Sequence, residues 1–378
     1  MRMEYRKFSK FIEKVQYGFT ADETSTISGD AKYLRITDIV PYFVDKDRVP
    51  YCTIPQKKKE QYLVKENDLL IARTGATTGY NLIIPKGFED YIFASYLVRI
   101  YYNQRELYPL YLKHVLKSQQ YYSFVNNYIG GSAQPGMNPR AFGRFEVPYF
   151  DYDQQKQIAA VLSTYNNLIE LNNKRIKVLE QMAENLYKEW FVRFRFPGHE
   201  SVPFENGLPK GWKPCKLSEL FDVRYGKEHK EIGDGQIPIF GSGGIMRYGD
   251  QALYAGESVL IPRKGTLNNI MYYNGPFWTV DTMFYTVLLK DNLAKYAYFT
   301  LKNVDMESYN SGAALPSMTT DILYHLKIIV PDDNTLERFD RFIDGVFKQT
   351  DAIKNLNDNL IKQRDLLLPR LMSGKLEV

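Results

Sequence analysis

The landmarks of this chain occur twice, in the same order. The stretch YIGGSAQPGMN at 128–138 returns at 309–319 as YNSGAALPSMT, with an aromatic, a Gly, an Ala, a Pro and a Met at matching offsets. KFSKFIEKVQYG (7–18) is matched by KLSELFDVRYG (216–226). NDLLIARTGATTG (67–79) is matched by ESVLIPRKGTLNN (257–269), each an apolar run ending in Arg, one residue, then Gly. Helical segments follow at 107–125 and 293–309, and the short strands RFEVPYFD (144–151) and HLKIIVPD (325–332) close each half before a long helix. Six landmarks in one order, separated by about 180 to 210 residues, imply a duplicated domain with loop insertions of unequal size. The 378 residues suit two such domains with a connector.

The long helices are predicted from caps and periodicity. Asp151 or Asp153, and Asp332 or Asp333, are candidate N-caps, since a carboxylate accepts from the free N–H groups of the first turn. In the first helix an apolar seam runs from Ile158 through Leu162, Ile169 and Ala183 to Trp190 in steps of four and three, the spacing of a coiled coil. A shift of 184 carries it to Phe342, Val346, Gln349, Ile353, Leu356, Leu360, Gln363, Leu367 and Arg370. Asn172 is the polar seam residue expected to set register. If the seams pair, the second helix returns antiparallel, as a rod of roughly 50 Å; otherwise each helix packs on its own globule. The expected fold is α+β: two similar α/β globules separated by two long helices forming an antiparallel coiled coil, with pseudo-two-fold symmetry. The expected division is 1–150, 151–196, 197–331 and 332–378.

Composition narrows the function by exclusion. A net charge of +5 is compatible with a polyanion partner, and 30 Tyr suit binding surfaces as well as cores. Two cysteines, Cys52 and Cys215, form no disulfide framework and point to a reducing compartment, hence the cytoplasm. No apolar leader opens the N-terminal stretch, and no apolar run reaches membrane-spanning length, so no membrane association is expected. The four histidines are scattered, with no CxxC, so no metal is expected. No phosphate-binding loop or nucleophile elbow occurs, and GSGG at 241–244 has Met246 where a dinucleotide fingerprint needs its third Gly. Asn138-Pro139 opens like an adenine methyltransferase motif, but Arg140-Ala141 replaces the rest of it. No catalytic residue and no cofactor is therefore expected.

What remains is binding. Short polar side chains and Arg, on loops held by a scaffold, are what base edges and phosphates require. In the first half these are Arg73, Thr74, Thr77, Thr78, Tyr80, Ser132, Gln134 and Asn138; in the second, Arg263, Lys264, Thr266, Asn268, Asn269 and Ser317. Gln134 against Leu315 and Asn138 against Thr319 mark where the two copies would read different partners. Val161, Leu168, Met182, Trp190 and Phe191 on the first long helix form a candidate partner-binding set.

These residues resemble the specificity subunit of type I restriction–modification systems over essentially the whole chain. The resemblance lies in the Arg-x-Gly strand ends, the Gly-Ser/Ala…Pro…Met stretch, and the Val-Pro strand leading into Gln-Gln-Lys-Gln-Ile at 154–158. That opening is similar to the family's Pro-x-x-Glu-Gln-x-x-Ile, with Gln155 for the Glu and Lys156 for the Gln. It continues in Ile169–Asn173, Leu186–Phe191 and the closing Leu371–Leu376; the opening of the second helix, Asn334–Phe339, departs from the pattern. The resemblance implies two target-recognition domains that each read half of a split double-stranded DNA target, and helices that space them. It further implies docking of two methyltransferase subunits and recruitment of ATP-dependent restriction subunits, with all catalysis in those partners. A non-enzymatic adaptor, with two binding globules on a coiled-coil arm, is the alternative the residues leave open.

Overall fold

The computed structural model describes residues 3–22, 24–41, 44–129, 136–309 and 317–376. The chain divides into two compact units, Met1–Lys174 with Lys354–Val378, and Arg175–Ile353. Each long helix, Tyr152–Tyr187 and Asp333–Met372, contributes one stretch to each unit.

In the first unit an antiparallel sheet has the order Ile12–Tyr17, Leu97–Tyr102, Leu69–Ala72, Asn81–Ile83. In the second, the first four strands of a six-stranded sheet repeat that order as Phe221–Tyr225, Met283–Leu288, Tyr254–Pro262, Met271–Thr279. A short antiparallel ladder recurs too, Glu4–Lys7 with Glu146–Tyr149 in one unit and Lys213–Lys216 with Lys327–Val330 in the other. Most of what differs lies between shared strands. The first unit adds a small sheet of Thr24–Ser25, Tyr51–Cys52, Ala31–Leu34 and Tyr91–Phe93. The second adds the hairpin Asp234–Gly241 with Gly244–Gly249. These unequal insertions are why the landmark separation drifts.

The caps resolve to Asp151, whose Oδ1 accepts from Gln154 N at 2.9 Å, and Asp332, which accepts from Thr335 N at 3.0 Å and from Trp212 Nε1 at 3.2 Å. Gln155 is fully buried at the start of the first helix: its amide donates to Glu106 O and Phe150 O, both at 2.9 Å, and accepts from Tyr108 N at 2.8 Å. Gly374, at φ 68°, closes the second helix in the left-handed region that favours glycine.

Within each unit the two helix stretches are antiparallel and embedded in the core. In the first unit, Ile158, Ala159 and Leu162 share a cluster with Leu368, Leu371 and Met372. Asn166 Oδ1 accepts from Arg364 Nη1 at 2.9 Å, and Asn172 Nδ2 donates to Asn357 Oδ1 at 2.8 Å. In the second, Ala183, Tyr187, Trp190 and Phe191 share a cluster with Leu336, Phe339, Ile343 and Val346. Seam pairing and packing on the globules thus occur together.

The register of the second seam needs a correction. Val346 and Ile353 are buried, as expected. The alternate positions fall one residue later than expected, at Ile343, Thr350, Asn357, Arg364 and Leu371, rather than at Phe342, Gln349, Leu356, Gln363 and Arg370. Phe342 and Leu356 are each 49% exposed. The inward polar groups are tolerated because they are hydrogen-bonded: Asn357 Nδ2 donates to Asn173 Oδ1 at 3.0 Å and Thr350 Oγ1 to Val346 O at 3.0 Å.

Candidate nucleic-acid interface

The Arg-x-Gly landmark has the same surroundings in both units. Arg73 follows the strand Leu69–Ala72 and Arg263 follows Tyr254–Pro262; each of these strands pairs with the sheet's second strand. On the other side of that second strand lies the strand that ends in Tyr17 or Tyr225. The registers agree residue for residue. Tyr17 pairs with Val98 while Ala72 pairs with Leu97; Tyr225 pairs with Phe284 while Pro262 pairs with Met283.

That register brings ring and cation together. The Arg73 guanidinium lies over the Tyr17 ring, 5.1 Å from its centroid, and that of Arg263 over Tyr225 at 5.3 Å. Both distances are inside the range of a cation–π contact. Arg73 Nε donates to Ser95 O and Arg263 Nη1 to Asp281 O, each at 3.3 Å. The main chain is held as well. Arg73 N donates to Tyr96 O and its carbonyl accepts from Met137 N at 2.9 Å; Arg263 N donates to Thr282 O and its carbonyl accepts from Met318 N, also at 2.9 Å. Met137 and Met318 are buried anchors, and single bridges join Thr74 to Gly136 and Lys264 to Ser317.

The glycine after each tyrosine is required by close approach. A Cβ at Gly18 would lie 2.1 Å from Ala94 O, and one at Gly226 2.0 Å from Val280 O. The tyrosine ends of these strands are thereby fixed, while the rings stay half exposed, Tyr17 at 50% and Tyr225 at 49%.

The expected site residues divide into two groups. Arg73, Thr74 and Thr77 are half-buried on the first loop, while Lys264 and Thr266 are exposed beside half-buried Arg263 on the second. Ser317 is half-buried in its bridge. Others also make contacts within the scaffold. Thr78 is buried and donates to Gly75 O at 2.7 Å, and Tyr80 lies 5.6 Å, ring to ring, from Tyr122. Asn268 Oδ1 accepts from Met306 N at 2.8 Å, and Asn269 Nδ2 donates to Ser242 O at 2.7 Å. Asn138 is an N-cap, its Oδ1 accepting from Ala141 N at 2.9 Å, and Thr319 caps Thr320–His325 in the same way. Asn138 and Thr319 thus share one structural task, and both stay exposed. Ser132, Gln134 and Leu315 lie outside the described residues.

On the first long helix, Leu168 (44%) and Met182 (49%) are exposed, together with Leu171 (55%) and Val178 (59%). Val161 is partly buried against the first core. Trp190 and Phe191 drop out of the partner-binding set. They lie in the core of the second unit, with Phe191 stacked edge-on to Tyr296 at 4.6 Å and Phe339 at 4.7 Å, and are spent on packing.

The residues missed from sequence are Tyr17 and Tyr225. Their signal was present, since each closes its half's first landmark as Tyr-Gly. A cleft of about 820 Å³ in the first unit, beside His114, Lys117, Tyr122, Arg364 and Met372, includes no residue of the Arg73 loop. Burial, reinforced by Lys113 and Arg364, pushes the His114 imidazole down to about 3, so it is neutral at pH 7. Among the described residues no group of three His, Cys, Asp or Glu is placed to hold a metal, and no helix is long and apolar enough to cross a membrane.

The type I restriction modification DNA specificity domain matches the chain twice, over residues 24–181 and 209–363. The type I restriction enzyme MjaIX specificity subunit of Methanocaldococcus jannaschii is 26% identical over 342 residues, covering 82% of this chain and 74% of that one. The putative type I restriction enzyme MjaX specificity subunit of the same organism is 20% identical over 402 residues, covering 99% and 94%. The crystal structure of the type I restriction–modification S subunit from M. genitalium has the same fold, with a TM-score of 0.58 over 98% of this chain and 96% of that one, at 17% identity.

Proposed function

The chain belongs to the type I restriction modification DNA specificity family, and from that premise we propose that it is the sequence-reading, non-catalytic subunit of such a complex. Its two target-recognition domains, 1–150 and 197–331, each bind one half of a bipartite duplex target; the helical segments 151–196 and 332–378 space them. Methyl transfer and ATP-dependent cleavage belong to the modification and restriction subunits it docks in the cytoplasm.

The observation that carries this reading is the doubled loop constellation: one Arg-x-Gly loop, one Tyr-Gly strand end and one buried Met anchor in each of two matched domains. A bipartite target needs one reading surface per half, and groove contacts need polar loops on a rigid scaffold. Arg73, Thr74, Thr77, Arg263, Lys264, Thr266 and Ser317 are the proposed DNA-facing residues. Leu168 with Leu171 in the first unit, and Met182 with Val178 in the second, are the proposed docking positions for modification subunits, because each pair is a solvent-facing apolar pair on a helix stretch.

The test is co-expression with its modification subunits in a host lacking adenine methylation, followed by mapping of methylated adenines. One asymmetric split motif is expected. Replacing 197–331 with the matching domain of a relative should change one half-site alone; a change in both halves, or no motif, would refute the reading. The adaptor alternative predicts no salt-dependent affinity for random duplex DNA, whereas a polyanion binder loses affinity steeply as salt rises.

A further inference from the structure

We propose that Tyr17–Arg73 and Tyr225–Arg263 are matched phosphate clamps, one in each unit, which grip the DNA backbone without reading its sequence. This rests on the DNA-recognition reading above and narrows the role of its two arginines.

The first argument is what the two units share. Two domains that read different half-sites need different side chains wherever bases are read. The residues after the arginines do differ, Thr74-Gly75-Ala76-Thr77 in one loop and Lys264-Gly265-Thr266-Leu267 in the other. The Tyr–Arg pair does not differ, either in kind or in geometry. A feature common to both domains fits what both half-sites have in common, and every duplex presents phosphates at a fixed spacing.

The second argument is preorganisation. Each arginine is held at its N–H, at its carbonyl, at one guanidinium nitrogen and by a ring beneath the guanidinium. Its remaining N–H groups have no hydrogen-bond partner among the described residues. A planar cation held this firmly, with donors left over, matches the oxygens of a phosphate and loses little side-chain freedom on binding. The tyrosine is the positioning residue: its ring supports the cation, and its backbone is fixed by the glycine that follows.

The test uses the full chain with its modification subunits, read both by salt titration of DNA binding and by the methylated motif. Each neutralised phosphate contributes about −0.9 to the slope of log affinity against log salt. Arg73→Ala and Arg263→Ala should each flatten the slope by about one, and the double variant by about two. From about 50 to 200 mM salt, wild type should thus lose about 3.5-fold more affinity than either single variant. The methylated motif should be the same in every variant, at reduced extent.

Arg73→Lys keeps the charge and should restore most of the slope, which separates loss of a contact from loss of folding. Tyr17→Ala should weaken binding when Arg73 is present and add nothing in the Arg73→Ala background, and Tyr17→Phe should rescue it. An unchanged slope in Arg73→Ala and Arg263→Ala overturns the clamp. So does loss of one base position from the motif, which would make the arginine a base reader. If wild type itself yields neither salt-dependent binding nor a split motif, the DNA-recognition reading fails and the clamp fails with it.

Discussion

Replacing Lys295 with Met should destabilise the second unit by about 3 kcal/mol. Lys295 is 3% exposed on the helix Ala294–Lys302. Its Nζ donates to Glu257 Oε1 on a sheet strand at 2.7 Å and to Asp340 Oδ1 on the second long helix at 3.0 Å; Asp344 lies 3.9 Å away. One cation therefore ties sheet, short helix and long helix together. Removing one partner of a buried ion pair costs roughly 3–5 kcal/mol, because the other charge is left uncompensated. The low end applies here, since the carboxylate side chains of Glu257 and Asp340 are 24% and 15% exposed and can draw in water.

All three tryptophans, Trp190, Trp212 and Trp278, belong to this unit, so intrinsic fluorescence in urea follows its unfolding selectively. With a urea slope of about 2 kcal/mol per molar, the midpoint should fall by about 1.5 M. Burial already raises the Asp340 carboxyl above its ordinary value in wild type, against the pull of Lys295. In Lys295→Met it should rise further. A carboxyl raised on folding makes the native state bind more protons, so the deficit should be largest at neutral pH and shrink as pH falls towards 4. Neutralising both carboxylates (Lys295→Met with Glu257→Gln and Asp340→Asn) should bring the midpoint back to within about 0.5 M of wild type, since an apolar-polar set without charge is close to isoenergetic with a buried pair. A Lys295→Met midpoint within about 0.3 M of wild type would refute the reasoning, because the cluster would then be solvated like a surface pair.

Three other outcomes are expected. Gln155→Glu puts a carboxylate against Glu106 O and Phe150 O; the glutamate's folded pKa should be raised, so stability should fall as pH rises through about 4.3 and recover in acid, as followed by circular dichroism melts. His114 is depressed to about 3 on folding, so the unfolded state binds the extra proton between pH 6.5 and 3; hydrogen exchange in Pro109–Val115 should show stability falling by up to about 1.4 kcal/mol per pH unit in that window, and His114→Gln should remove the dependence. Inserting one heptad into both long helices adds about 10 Å of helix and should lengthen the unread gap of the methylated motif by about three base pairs, leaving both halves intact; an unchanged gap would show that the helices do not set the spacing.

Much of this architecture was legible because duplication leaves the same landmarks twice. Arg-x-Gly after an apolar run, Tyr-Gly closing a first strand, and Val-Pro before a long helix all reappear as matched strands and turns. The second seam was less legible. Polar side chains such as Asn357 and Arg364 read as surface, and apolar ones such as Leu356 read as seam; hydrogen bonding to Asn172 and Asn166 reversed both. Trp190 and Phe191 were misassigned for a related reason. Helical spacing tells which residues share a face but not what covers it, and here the second unit's own Phe339 and Tyr296 cover it. The Tyr–Arg pairs were hidden by distance in sequence, since a ring at 17 and a cation at 73 meet only through register across a shared strand.

The contrast between shared and unshared parts bears on where specificity resides. A difference of letter within the landmarks need not alter the fold, since Asn138 and Thr319 differ and yet both cap a helix. Differences of structure are better guides, and they are concentrated between the Tyr-Gly and Arg-x-Gly landmarks. There the first unit builds three of the four strands of its small sheet, Thr24–Ser25, Ala31–Leu34 and Tyr51–Cys52, and the second builds the hairpin Asp234–Gly241 with Gly244–Gly249. That hairpin leaves Ile245, Met246 and Tyr248 about half exposed, more apolar surface than a solvated turn requires. On the proposed reading, the common clamp holds the backbone while these unlike insertions, anchored on the same four-strand frame, meet unlike bases. One duplicated domain can then acquire a new half-site by exchanging an insertion and keeping its grip.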